Sequence, residues 1–139
     1  MKILVDTNVA LDVLLERHPF SEDSFAIFRL ANLKRIKGIL PAASITDIFY
    51  IARKQRRDTE EVYHRMDKLT ALFSVAPVSE TTIANALALR WKDFEDAVQY
   101  MAATENSVDY IVTRNTQDFS SSHIPAVTPE QFMRIIADR

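Results

Sequence analysis

The chain alternates short, unbroken apolar runs with longer segments in which apolar residues recur every three or four positions. Ile3-Leu4-Val5 and Tyr110-Ile111-Val112 are the clearest runs, and such runs are typical of strands buried on both faces of a parallel sheet. Ile39-Leu40-Pro41 and Pro125-Ala126-Val127 predict two further short strands, and Val75-Ala76-Pro77 predicts a short extended piece.

Helical patterns fill the stretches between these runs. After the first strand, apolar residues from Val9 to Leu15 predict a short helix that ends near His18-Pro19. Ser21 is predicted to cap the next helix. Gly38, the sole glycine, is predicted to be the left-handed residue that ends that helix.

Later helices carry recognisable start signals. Asp58 and Ser79 each precede a helical stripe as an N-cap residue, and Thr128 opens a capping box with proline next to it. A further helix is predicted near Asp93, with a buried stripe of Phe94, Ala97, Val98 and Met101. Alternating strands and helices favour an α/β fold with a parallel sheet.

Composition is that of an ordinary globular protein. The length of 139 residues predicts one domain, spanning 1–139. The net charge is −2, so a polyanion could bind only through a local basic patch or a bound metal. The chain has no cysteine, which excludes disulfides and thiolate zinc sites and fits a cytoplasmic location. We find no apolar signal segment and no run long enough for a membrane span.

Several chemistries are excluded by what the chain lacks. With a single glycine, neither a phosphate-binding P-loop nor a dinucleotide fingerprint can be built. There is no serine nucleophile elbow, and His18, His64 and His123 are scattered without metal-ligand spacing. Aspartates are the chemical groups that remain.

Four aspartates stand where a strand ends or a helix begins. They are Asp6, Asp47, Asp96 and Asp118. In a parallel sheet such ends gather at one edge, where α/β proteins bind ligands. Four uncompensated carboxylates at one point would repel one another, and a hard divalent cation is their natural counter-charge. Oxygen-only ligands select Mg²⁺ or Mn²⁺, so the pattern supports metal-assisted phosphodiester hydrolysis as a hypothesis.

Each of these acids also has a purely structural interpretation. Asp6 would simply cap the following helix, and Asp47 would form a capping box with Ser44. Asp96 would offset a helix dipole, although its place beside an apolar stripe explains this less well. Asp118 would make an Asx-turn, as would Asn115. The amino-acid sequence is consistent with both interpretations of each acid.

Four blocks together resemble the PIN domain family. They are Val5-Asp6-Thr7-Asn8, Ser44-Ile45-Thr46-Asp47, Asp93-Phe94-Glu95-Asp96-Ala97, and Thr113-Arg114-Asn115 followed after two residues by Asp118-Phe119. The resemblance covers essentially the whole chain, in order. It implies a Rossmann-like three-layer α/β/α sandwich with a central, mainly parallel sheet, and a Mg²⁺- or Mn²⁺-dependent endoribonuclease that hydrolyses RNA. Many small, single-domain members of the VapC-like type are toxins that form homodimers and are held inactive by a small antitoxin protein.

The resemblance also implies roles for individual residues. Asp6, Asp96 and Asp118 match metal-site acids, and Asp47 falls where most members carry a glutamate, so its reach is one methylene shorter. The polar residues that would line the site and bind water or phosphate are Asn8, Thr113 and Asn115. Asp93 and Glu95 are extra acids beside this set. Candidate contacts to the RNA backbone are Arg53, Lys54, Arg56, Arg57 and Arg114, although a basic cluster is usually a solvated helix end.

Two other interpretations keep part of this picture. In the first, the chain is a non-catalytic RNA-binding or protein-docking module of the same fold with a vestigial acidic pocket, and the short side chain of Asp47 favours this interpretation. In the second, the chain is another phosphate-handling α/β protein, such as a phosphatase or a receiver domain. A haloacid-dehalogenase-type phosphatase needs a second aspartate where this chain has Asn8, and no convincing pair of receiver residues is present.

Overall fold

The computed structural model describes residues 1–56 and 58–139, and Arg57, one of the predicted phosphate contacts, lies outside them. Strands and helices alternate along this part of the chain. In chain order they are β1 (Lys2–Val5), α1 (Thr7–Leu14), α2 (Ser21–Asn32), β2 (Lys37–Pro41), α3 (Ala42–Gln55), α4 (Thr59–Leu72), β3 (Ser74–Ala76), α5 (Glu80–Leu89), α6 (Phe94–Glu105), β4 (Tyr110–Val112), a 3₁₀ helix (Thr116–Phe119), β5 (Ala126–Val127) and α7 (Pro129–Ala137).

The five strands form one parallel sheet in the order β3-β2-β1-β4-β5. The chain builds outward from β1 in one direction through β2 and β3, and then in the other through β4 and β5. The strand order therefore reverses beside β1, where Val5 pairs with Val112 at the carboxyl ends of β1 and β4. Ligands of open α/β sheets bind at such a switch point.

Helices cover both faces of the sheet, which confirms the predicted three-layer α/β/α sandwich. On β1, Ile3 and Val5 pack into a core shared with α1, α2, α3, α4 and α7. Leu4 points to the opposite face, where it packs with residues of α6, and α5 lies against α6. All three side chains have no exposed surface, as the unbroken apolar run predicts for a central strand.

Gly38 has a different role from the predicted one. The left-handed residue after α2 is Lys34, with φ 58°, whereas Gly38 lies inside β2 with ordinary strand geometry. A Cβ atom on Gly38 would stand 2.2 Å from Cδ1 of Phe73, whose ring packs directly on the strand. The glycine is needed because this ring approaches the backbone too closely for any side chain.

The start signals of three helices are confirmed. Asp58 accepts a hydrogen bond from the backbone N–H of the third residue of α4, and both Ser79 and Thr128 take part in complete capping boxes. Ser21, in contrast, is the first residue of α2 and makes no cap hydrogen bond. Phe94 is 43% exposed, so it does not belong to the buried stripe of α6. Within the described residues, no helix combines the length and the apolar character needed to cross a membrane.

Candidate functional site: an acidic cluster at the carboxyl edge of the sheet

Asp6 stands at the centre of the sheet edge. It directly follows β1, and its backbone N–H donates to the carbonyl oxygen of Val112 on β4 at 3.0 Å. Its own carbonyl accepts hydrogen bonds from Val9 and Ala10 in the first turns of α1. Asp6 thus occupies the N-cap position, but its side chain makes no cap hydrogen bond. The carboxylate is therefore free for contacts across the sheet edge.

Two side chains from distant parts of the chain hold this carboxylate. Nε2 of Gln99 donates to Oδ1 at 3.0 Å, and Oγ1 of Thr113 donates to Oδ2 at 2.7 Å. Asp6 is only 6% exposed, and burial raises the pKa of its carboxyl group above the usual 3.8, with the two hydrogen bonds acting in the opposite direction. The result is a desolvated acid in a fixed orientation.

Asp96 and Asp118 lie beside it and line a common cavity of about 930 Å³. Burial, followed by the charges of Asp93, Asp6, Asp118 and Glu95, raises the pKa of Asp96 from 3.8 to about 7. Asp93 caps α6 by accepting the backbone N–H of Asp96 at 3.1 Å, so these two acids are neighbours. Like charges held this close cannot all ionise without cost.

Asp47 is linked to the cluster through its charge effect on Glu95. It lies exposed in the second turn of α3, and Ser44 is buried three residues before it, inside the helix. Because α3 begins at Ala42, the capping-box interpretation of Ser44 and Asp47 is wrong. Burial and then the charge of Asp47 raise the pKa of Glu95, so these two carboxylates are within electrostatic reach of each other.

The predicted polar residues occupy different depths of the site. Thr113 is wholly buried, and its Oγ1 also accepts the backbone N–H of Asn115 at 3.1 Å. Asn115 is exposed and precedes the 3₁₀ helix without a side-chain cap hydrogen bond, so its Asx-turn interpretation is wrong. Asn8 is partly exposed in the first turn of α1. Asp118 is exposed, and its backbone N–H donates to Asn115.

Sequence reasoning missed several residues at this edge. Gln99 lies one turn after Asp96 on the buried side of α6. A polar residue within an apolar stripe could have indicated its role at the site. Glu95, set aside as an extra acid, accepts a hydrogen bond from Oγ1 of Thr7 at 3.3 Å. Asp12 is wholly buried in α1, and an acid within the apolar run of that helix could have revealed it.

The donor set fits a hard divalent cation by its chemistry. The carboxylates at this edge raise one another's pKa. Arg90 and Lys92 line the same cavity as Asp96 and Asp118, but among the described residues none of these acids forms an ion pair. Asp6, Asp96 and Asp118 are the side chains that would hold such an ion, since carboxylate oxygens are the ligands that Mg²⁺ and Mn²⁺ prefer. In the described part of the chain, no three His, Asp or Glu side chains already surround one point at ligand distance. Side-chain movements would be needed to bring these acids around one ion.

Known proteins share this architecture. A family model described as PIN domain matches residues 2–117. Ribonuclease VapC1 of Aquifex aeolicus (strain VF5) is 24% identical over 136 residues, which cover 94% of this chain and 92% of that protein. The structure of VapBC2 from Rickettsia felis, bound to a DNA fragment from its promoter, matches with a TM-score of 0.69 at 15% identity, covering 91% of this chain and 97% of that one. FitAcB from Neisseria gonorrhoeae matches with a TM-score of 0.67 at 19% identity, covering 92% and 98%.

The solved structures share the fold at low sequence identity, and the family model spans most of the chain, including β1, α6 and β4, which build the acidic edge. The protein therefore belongs to the PIN domain family.

Proposed function

We propose that the protein is a divalent-metal-dependent endoribonuclease that hydrolyses RNA phosphodiester bonds. The single observation that carries this proposal is the buried carboxylate of Asp6, oriented by Gln99 and Thr113 beside the mutually repelling Asp96 and Asp118. Family membership and the relative named ribonuclease VapC1 support the same activity.

The acids would divide the work by position. Asp6, Asp96 and Asp118 would hold Mg²⁺ or Mn²⁺, and Asp47 with Glu95 would orient water beside the ion. When bound, the ion would lower the pKa of water and neutralise developing charge on the phosphate. Thr113 and Gln99 would keep Asp6 from turning away as the site fills. Asn8 and Asn115, at the rim, would donate to water or phosphate oxygens.

We also propose that a small antitoxin protein binds this chain and that the chain forms a homodimer. The support is the family, together with structural neighbours whose names describe toxin–antitoxin assemblies, such as a toxin–antitoxin complex from Klebsiella pneumoniae. Co-expression with a small protein encoded beside this gene, where one is found, followed by gel filtration, would test both statements.

The activity test uses purified protein and a labelled single-stranded RNA with Mg²⁺ or Mn²⁺. We expect cleavage that stops on chelation, and a loss of at least about 100-fold in Asp6→Asn and in Asp96→Asn. Asp67→Asn, an exposed acid on α4, is the matched control and should cleave as the wild type does. Full metal-dependent turnover by both site variants would refute the assignment. Binding without cleavage by the wild type would favour a non-catalytic RNA-binding module.

A further inference from the structure

A buried ion pair lies next to the acidic cluster. Nε of Arg114 is 2.9 Å from Oδ2 of Asp12, a carboxylate with no exposed surface, and a terminal nitrogen of Arg17 is 3.9 Å from Oδ1. Neither contact is an aligned hydrogen bond, since within residues 1–56 and 58–139 both Asp12 oxygens and Arg114 Nε have no hydrogen-bond partner. Two arginines share one carboxylate, so this group carries one net positive charge.

The guanidinium of Arg114 also packs on an aromatic ring. Its central carbon lies 4.1 Å from the centre of the Phe20 ring, which is short for a cation–π contact. Its backbone lies between Thr113, which donates to Asp6, and Asn115, whose N–H donates to Thr113. The backbone of Arg114 thus adjoins the residue that holds Asp6, and Asp12 and Phe20 fix its charge with a quarter of the side chain exposed.

A cavity of about 350 Å³ opens on this guanidinium. Ser24 lines it, is fully buried, and its hydroxyl has no hydrogen-bond partner among the described residues. A buried hydroxyl without a partner is costly, and Ser24 forms part of the cavity wall beside Arg114. Two acids also line the cavity, but Glu130 is paired with Arg134, and Asp23 lies in the first turn of α2, where the helix dipole offsets its charge.

We propose that Arg114 and this cavity bind an RNA backbone phosphate adjacent to the one attacked at the acidic cluster, and that Asp12 is a positioning residue that aims the guanidinium. The ion pair uses Nε, the inner nitrogen, and the outer NH₂ groups are the donors that suit phosphate oxygens. An acidic cluster repels RNA, and one fixed cation beside it sets the register of the strand. This inference rests on the proposed ribonuclease function.

The test measures both cleavage and binding. Arg114→Gln should raise KM for single-stranded RNA about 10-fold and change kcat less than about 3-fold, because a charged phosphate contact is lost. In an Asp6→Asn background, which permits binding measurements without cleavage, the same change should lower the slope of log Kd against log salt concentration by about 0.7, the value for one phosphate contact on a single strand.

Two variants separate binding from structure. Asp12→Asn alone keeps the charge of Arg114, so affinity should fall a few-fold while the salt slope stays at the wild-type value. The double variant Asp12→Asn with Arg114→Gln leaves neither partner of the pair buried and uncompensated, so it should melt close to the wild type. It should nevertheless keep the full binding defect. Arg29→Gln, which removes another arginine that lies over a phenylalanine ring, is the matched control and should bind normally.

Recovery of wild-type affinity and salt slope in the double variant would overturn the proposal, because the pair would then be purely structural. An unchanged salt slope in Arg114→Gln would overturn it as well. These outcomes are distinguishable from failure of the ribonuclease assignment, in which the wild type itself does not cleave RNA while the binding measurements remain possible.

Discussion

Replacement of Asp96 by asparagine should stabilise the protein at neutral pH when no divalent cation is present. Asp96 is partly buried, and after this burial the charges of Asp93, Asp6 and Asp118 are the largest reasons why its pKa rises from 3.8 to about 7. In the unfolded chain Asp96 ionises freely. In the folded protein it must either stay protonated or carry its charge among like charges, and both cost free energy at neutral pH. Asparagine has the same shape without that charge.

The size of the effect follows from the pKa. A rise from 3.8 to about 7 sets an upper limit of roughly 4 kcal/mol at high pH. Part of the side chain is exposed, so solvent screening reduces this limit, and we expect about 1–2 kcal/mol. For a domain of this length such a gain raises the melting temperature by about 3–8 °C.

The pH dependence of stability gives independent evidence that Asp96→Asn stabilises the protein. Because the folded-state pKa of Asp96 is raised, the folded protein binds more protons than the unfolded chain between about pH 4 and pH 7. Wild-type stability should therefore fall as pH rises through this window, and Asp96→Asn should lose less. The melting temperatures of the wild type and Asp96→Asn should be equal below about pH 4, and the difference should reach its full size above about pH 8. Circular dichroism in a chelating buffer measures both.

When a divalent cation is present, the wild type should become more stable than Asp96→Asn. Millimolar Mn²⁺ or Mg²⁺ binds the wild-type acids and stabilises them by mass action, and the variant should gain less because it lacks one ligand. Asp67→Asn serves as the control and should melt within about 1 °C of the wild type at every pH. If Asp96→Asn melts at or below the wild type at pH 8 without metal, the like-charge cluster is not where the geometry places it.

Three further predictions test the packing around the site. Gly38→Ala should cost about 2–3 kcal/mol in urea unfolding, because the new Cβ collides with the Phe73 ring; adding Phe73→Leu should recover part of that loss. Gln99→Leu removes a hydrogen bond that lowers the pKa of Asp6, so the acid limb of the pH–rate profile for RNA cleavage should move to higher pH, and an unmoved limb would contradict this. Thr128→Ala removes an N-cap of α7 and should cost about 1 kcal/mol with an unchanged urea m-value.

Much of the fold was predictable because its signals are local. The apolar runs at β1 and β4 specify buried strands through their own side chains, and the caps at Asp58, Ser79 and Thr128 act on backbone groups only three residues away. The place of Asp6 was predictable for the same reason, because this residue directly follows the apolar run of β1.

Where the signal depended on a distant neighbour, prediction failed. Gly38 was assigned to a helix end because glycine favours left-handed geometry, yet its actual constraint is the Phe73 ring on another element. Ser44 and Asp47 have the spacing of a capping box, but the chain enters α3 before either residue. A spacing pattern cannot show where a helix begins when the helix follows a strand without a loop, as α3 follows β2.

By itself, then, the amino-acid sequence determined the order of strands and helices, the acids that close them, and the family to which the chain belongs. Only the tertiary structure decided that Gln99 and Thr113 hold Asp6, and that Asp12 and Phe20 hold Arg114. The partners of Asp6 lie 93 and 107 positions away along the chain. Contacts of that kind depend on how helices pack across a completed sheet, and no local pattern of residues encodes that arrangement.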